Sequence, residues 1–462
     1  MKRVITLILG FFNHELGGPI ILGLLLRFVL MPYLVWPYDI GAYQYGLAYL
    51  VSGYDPYTLH ASIYPPFVHF TTFPIFRIAY QAGASFNFHS ISEVIGGIRP
   101  GGMVAMSQIS PLFLVLWKIP LLFFDLMTGI LIYCFVKELV TDSRWPKRCF
   151  LIWFFNPFAI IISYVHGSYD IAVAFFILLG AYLLFKGNYL SAGLSFGLGT
   201  LTKTSPLFVA IPLGVVLLFR GFTRSFNVLT FKANARVTVK FALGCIAPLG
   251  LFAPLFIEYA NLMSVGISKE IAITGGLNQW FFAADPSRSY LINQYIGAVQ
   301  TVFSYYPVIC FALALLFCLF LKLNRQALLL ITAFFTSWIY LFLPITLQPQ
   351  YLLWILPILT VLICKWGSFK WSLSILSISG FCFYLSLQGP QTFLYPLVMY
   401  TPSYSPRALI GNIIAYQNSP GIISQYLSQD LSTIFGGIGF VGLILTVLLL
   451  IRNLRMNKNG VE

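Results

Sequence analysis

Apolar runs close to the length of a membrane span recur along most of this chain, and they decide which solvent it folds in. Residues 17–36, 107–136, 241–256 and 434–451 each approach or exceed the roughly 20 residues that a helix needs to cross a hydrocarbon core. About a dozen such stretches are separated by mostly short polar loops. Runs such as 241–256 do not alternate apolar and polar residues, as the strands of an outer-membrane barrel would. Backbone that faces lipid must satisfy its own hydrogen bonds, so the runs are expected to be helices. The composition, 59% hydrophobic and 9% charged, agrees. The expected class is an all-α polytopic membrane protein with about 12 transmembrane helices, in a range of roughly 10 to 13.

The formal net charge of +14 does not indicate nucleic acid, because Lys and Arg collect between the apolar runs. One orientation, with both termini cytoplasmic, places 19 of the 27 basic residues in inner segments, against three of the 13 acidic ones. That asymmetry is what the positive-inside rule requires. Residues 38–107 then form a long first outer loop. Its aromatic stretch 67–80, broken by Pro74, is too short to span and reads as an interfacial or re-entrant helix. Two later outer loops cover 258–302 and 389–432. The organisation is expected to fall into a first transmembrane module, 1–220, and a second, 221–462. Nothing at the start resembles a cleavable signal, so the first span is expected to remain as an anchor. The seven cysteines form no CxxC pair or metal-ligand spacing and read as small buried hydrophobes.

Ionisable side chains at membrane depth are costly and point to function. Asp39 stands just past the first span, in Trp36-Pro37-Tyr38-Asp39-Ile40. Partly desolvated there, it suits a general base for an acceptor hydroxyl; the plainer reading is a helix cap. Asp55 sits in Gly53-Tyr54-Asp55-Pro56-Tyr57, a common turn pattern. Tyr43, Tyr57 and Tyr64 suit stacking on sugar rings, or an aromatic belt at headgroup level. The short connection Tyr164-Val165-His166-Gly167-Ser168-Tyr169-Asp170 sets His166 and Asp170 towards the same outer side as Asp39, and Asn156-Pro157 upstream is expected to kink the preceding helix. Lys203, in Thr202-Lys203-Thr204-Ser205-Pro206, falls on the outer side, where a lipid phosphate is its natural partner and snorkelling the alternative. Gln350 and Tyr351 open a later span with groups that suit sugar hydroxyls or an interface anchor. Lys118 and Asp125, seven residues apart on one helix face, read as a buried polar pair or as cavity lining. Gly193-Leu194-Ser195-Phe196-Gly197 matches the nucleophile-elbow pattern only by letters, since no strand precedes it.

Four blocks in order carry a family resemblance. They are Asp39 with Tyr43, Asp55-Pro56-Tyr57 and Tyr64-Pro65-Pro66; Lys118-Ile119-Pro120 with Asp125; Asn156-Pro157 through His166, Asp170 and Lys203; and Gln350-Tyr351-Leu352-Leu353-Trp354. The chain thereby resembles the C-type superfamily of integral-membrane glycosyltransferases. It is most similar to the polyprenyl-phosphate-mannose-dependent mannosyltransferases, including those of the glycosylphosphatidylinositol type. The resemblance implies that Asp39 is the catalytic base. It also implies that the donor is a single sugar, mannose, on a polyprenyl phosphate bound outside the cytoplasm, with transfer to a lipid or glycan acceptor. Lys203, with His166, would then hold the donor phosphate. Tyr43, Asp55, Tyr57, Tyr64, Asp170, Gln350 and Tyr351 would contact sugar or acceptor.

The first outer loop lacks the DxD pattern of metal-using members, so neither a metal nor another cofactor is expected. The expected location is a cell membrane, or the endoplasmic reticulum in a eukaryote, with the site on the outer or lumenal face. Two rival functions use the same outer acids and lysine: a polytopic transporter or lipid flippase, and an oligosaccharide-lipid ligase or polymerase.

Overall fold

The computed structural model describes residues 14–36, 40, 43, 46–47, 50–51, 53, 66–84, 110–220, 228–255, 257, 306–321, 324–342, 349–387, 392–393 and 431–458. Among them all regular structure is helical. The early helices are α1 (His14–Leu30), α2 (Pro66–Gln81), α3 (Pro111–Leu139), α4 (Arg144–Phe154) and α5 (Pro157–Ile160), which runs into a π turn (Ile161–His166). Next come α6 (Asp170–Phe185), α7 (Tyr189–Thr202), α8 (Ser205–Phe219) and α9 (Val228–Leu251). The later part holds α10 (Tyr306–Phe320), α11 (Arg325–Phe342), a 3-10 turn (Pro349–Trp354), α12 (Leu356–Leu362), α13 (Phe369–Leu387) and α14 (Leu431–Lys458).

The helical class agrees with the sequence and is compatible with a polytopic membrane protein. Among the described residues two helices, or three with a bent pair, are long and apolar enough to cross, so the expected count of about 12 is neither reached nor contradicted by them. α3 and residues 434–456 of α14 are long and apolar enough to cross, with mean hydropathies of 2.1 and 2.7. The pair α4 and Pro157–His166, bent by 45°, makes a third crossing if taken as one span. Other apolar helices are short for physical reasons. α6 has 16 residues, about 24 Å at 1.5 Å per residue, against a core of about 30 Å. It is buried on nearly every side, so protein rather than lipid satisfies its surroundings. α3, α7, α11 and the 3-10 turn pack around it, and one hydrophobic core joins residues from both halves of the chain.

Elements follow local chemistry. Ser110 caps α3 by accepting from the Phe113 amide at 3.1 Å, with Pro111 at the first helical position. The short helix expected within the first outer loop is α2, with Pro74 inside it. The basic residues 220–240, which on composition alone read as an inner loop, are helical from Val228: Lys232, Arg236 and Lys240 recur every four residues as an exposed stripe on α9.

Two contacts explain close helix approaches. A Cβ on Gly193 would strike the Phe241 carbonyl, and one on Gly244 would strike that of Leu190, so small residues let α7 and α9 meet backbone to backbone. Ser195, between Gly193 and Gly197, donates to the Phe176 carbonyl at 2.7 Å. The Gly193–Gly197 pattern is therefore a packing device. At the front of the bundle, Arg27 on α1 pairs with Asp125 on α3 at 2.8 Å, both fully buried. Trp153 and Tyr164 donate to the same carboxylate at 3.0 and 2.9 Å. The remaining Arg27 donors go to the Gly23 and Phe154 carbonyls. A buried ion pair is tolerable when its spare donors and acceptors are satisfied in this way.

Candidate functional site

The site grows from the break between α4 and α5. Pro157 has no amide hydrogen to continue the helix. Asn156 caps the new start, its Oδ1 accepting from the Phe158 and Ala159 amides, while its Nδ2 donates to Ser377 Oγ on α13 at 2.9 Å. The expected kink is present at this point. The following helix widens into a π turn, a form that recurs at functional sites. It ends at Gly167, whose φ of 86° suits glycine. The amides of Gly167 and Ser168 both donate to the Ile162 carbonyl. This tight ending throws Ser168, Tyr169 and Asp170 into the centre of the bundle.

Asp170 opens α6, and its carboxylate takes donors from three places. Ser168 Oγ donates to Oδ2 at 2.6 Å. Lys203 Nζ donates at 3.0 and 3.2 Å. The indole Nε1 of Trp354 donates to Oδ1 at 2.7 Å. The Asp170 side chain is 1% exposed and that of Lys203 31%, so the pair's exposure lies almost entirely on the lysine. Lys203 arrives there because α7 ends at Thr202 and α8 begins at Ser205, leaving Lys203 in extended backbone between them. Its Nζ lies 4.1 Å from the Tyr351 ring centre and 5.6 Å from that of Trp354. Those two rings stack at 4.8 Å. The result is a cation held by a carboxylate and an aromatic pair.

The expected residues are thus only partly brought together. Asp170, Lys203 and Tyr351 converge. Gln350 is the neighbour of Tyr351 in the 3-10 turn; it is buried, and its Oε1 has no hydrogen-bond partner among the described residues. His166 is fully buried, with Trp36 at 5.0 Å on one side and Tyr384 at 5.5 Å on another. Tyr43 is also buried, its ring 4.1 Å from that of Trp117. Lys118 and Asp125 do not pair with each other. Asp125 belongs to Arg27, while Lys118 Nζ donates to the carbonyls of Met31, Leu34 and Tyr164. Asp39, Asp55, Tyr57 and Tyr64 lie outside the described residues.

Sequence reasoning did not name Ser168, Trp354, Trp117 or Arg27 as site or support residues. Signals existed for two of them. Arg27 is a lone charge inside an apolar run, and Ser168 stands two residues before Asp170. Trp354 gives no sign of its partner, because the fold alone brings residue 354 to residue 170. Among the described residues no three His, Cys, Asp or Glu side chains gather as metal ligands.

No family model matches the chain. Over 144 residues, 31% of its length, it is 29% identical to a protein of Kluyveromyces lactis named GPI mannosyltransferase 1. The match spans 32% of that protein, about a third of its length. This likeness, partial in both chains, supports a mannosyltransferase-like relationship.

Proposed function

We propose that the chain is a membrane glycosyltransferase that moves one mannosyl unit from a polyprenyl-phosphate donor to a hydroxyl of a lipid or glycan acceptor. A glycosylphosphatidylinositol acceptor is the first to try, following the relative's name. The observation that carries the reading is the Lys203 ammonium, oriented by Asp170 and lying over Tyr351, on a side chain that is 31% exposed. Such an oriented cation can meet negative charge that develops on a leaving phosphate. The orphaned Oε1 of Gln350, one residue from Tyr351, offers an acceptor for a sugar hydroxyl.

In this reading Asp39 takes the proton from the acceptor hydroxyl. The acceptor oxygen attacks the anomeric carbon, the bond from that carbon to the phosphate oxygen breaks, and polyprenyl phosphate leaves with the electron pair. Attack opposite the leaving group inverts the anomeric centre. The site faces the outer or lumenal side, and the inner loops with both termini face the cytoplasm. Aromatic stacking of Tyr351 on Trp354 keeps the ring beneath Lys203 in a fixed plane.

The test uses purified full-length protein in nanodiscs, radiolabelled polyprenyl-phosphate mannose and a glycosylphosphatidylinositol precursor. The expected result is label in a new glycolipid with wild type and none with Asp39→Asn, while Asp39→Asn still binds donor. Full turnover by Asp39→Asn would remove the base assignment. Movement of donor across the bilayer without a new glycosidic bond would favour a flippase instead.

A further inference from the structure

Two consecutive residues of α3 hold two separate chain segments. Lys118 Nζ donates to the Met31 and Tyr164 carbonyls, each at 2.9 Å, and to the Leu34 carbonyl. Trp117 Nε1 donates to the Gly167 carbonyl at 2.9 Å. The segments also hold each other, since the Trp36 amide donates to the His166 carbonyl at 3.2 Å and the two rings lie 5.0 Å apart. Residues 31–36 run towards Asp39 in sequence, and residues 164–168 run into Asp170.

Lys118 is fully buried, and it donates to three backbone carbonyls; among the described residues it has no carboxylate partner. Placing an ammonium in such an interior is costly, and an apolar side chain of like volume would commonly give equal or better stability. What the ammonium provides instead is one point that fixes three carbonyls. Two of those carbonyls follow the end of α1, and the third lies in the π turn, where helix C-terminal ends carry partial negative charge. Packing alone does not require this geometry.

We propose that Lys118 and Trp117 are positioning residues: they fix segment 31–36 against segment 164–168, and so set the distance between the acceptor side and the Asp170–Lys203 side of the site. The proposal rests on the transferase reading above for its catalytic consequence, but the clamp itself can be read without any activity.

The experiment compares full-length wild type, Lys118→Met and Trp117→Phe in nanodiscs, by backbone hydrogen exchange and by steady-state transfer from polyprenyl-phosphate mannose. Expected for Lys118→Met is exchange about ten-fold faster or more at 34–36 and 164–168, as the loss of a charge-assisted hydrogen bond implies, with α6 and α8 unchanged. kcat should fall about 10²-fold, the effect of misplacing groups by about an ångström, while KM for donor stays nearly constant. Trp117→Phe, which loses one hydrogen bond and keeps an aromatic ring, should show the same pattern more weakly; it decides the matter if Lys118→Met does not fold. Exchange that rises evenly through the bundle, or stays the same in both segments, would overturn the clamp. Loosened segments with unchanged kcat would overturn the positioning role. A wild type that transfers no sugar would overturn the transferase reading, leaving the exchange data to decide the clamp alone.

Discussion

Trp354 Nε1 and Asp170 Oδ1 are 2.7 Å apart, although 184 residues of chain separate them. This bond ties the 3-10 turn of the later half to the first turn of α6. It also completes the set of donors around a carboxylate that is almost fully buried.

The first prediction follows from that bond. Trp354→Phe keeps a ring to stack with Tyr351 but removes the donor. A hydrogen bond to a charged group contributes about 1.5–3 kcal/mol. Thermal unfolding of the purified variant should show a loss of that size. Its transfer rate should fall further than that of Tyr351→Phe, which leaves every donor to Asp170 in place. Wild-type stability in Trp354→Phe would mean that the indole bond is not used.

The second prediction separates stability from function at the ion pair. Lys203→Met leaves the Asp170 carboxylate buried without its cation. Breaking one side of a buried pair costs about 3–5 kcal/mol, and partial exposure of Lys203 puts this case near the lower end. In the double variant Lys203→Met with Asp170→Asn, the stranded charge is gone, and much of the stability should return. Transfer should not return, because the cation opposite the donor phosphate is still missing. Chemical denaturation and activity on the same samples check both halves, and recovery of activity in the double variant would remove Lys203 from the chemistry.

How far these features were legible in the sequence depends on range. The helical class, the break at Asn156–Pro157 and the short connection from His166 to Asp170 depend on neighbours in the chain, and each was readable from local chemistry. Whether a given apolar helix crosses on its own is less legible, because a helix such as α6 that is buried in protein has the same apolar composition as one facing lipid. The surroundings of Asp170 were partly visible: of its three partners the sequence singled out Lys203 but not Ser168 or Trp354, and His166 lies instead near Trp36 and Tyr384. Lys118 and Asp125 share a helix face, as their spacing says, but the spacing could not reveal that Arg27 and three carbonyls would claim them.

The third prediction concerns the glycines of α7 and α9. Gly193→Ala puts a methyl group against the Phe241 carbonyl, which as backbone cannot swing aside. Forced overpacking of this kind costs about 1–3 kcal/mol. Gly214 on α8 has nothing within 4 Å of an added Cβ. Gly214→Ala should therefore be neutral or stabilise by about 0.4–1 kcal/mol through the unfolded chain. Melting temperatures of the two variants, measured side by side, should move in opposite directions or differ clearly in size.

The last prediction addresses how α1 is held. Arg27 gives its guanidinium to Asp125 and to two backbone carbonyls, and its plane lies 3.9 Å from the Phe154 ring centre. Arg27→Met would leave the buried Asp125 with neutral donors only, Trp153 and Tyr164. The expected loss is about 3–5 kcal/mol, larger than for Arg144→Met, since Arg144 pairs with Asp142 at an exposed position where water screens the charges. Arg27→Lys should recover only part of the loss, because an ammonium cannot reproduce the fork that reaches Asp125 and two carbonyls at once. Because α1 leads through residues 31–36 towards Asp39, the Arg27 variants should also lose transfer. Limited proteolysis should cut first within or beside α1, while the α6–α8 region stays protected. Cleavage that begins instead in α7 or α8 would show that Arg27 supports the bundle as a whole and does not act chiefly on α1.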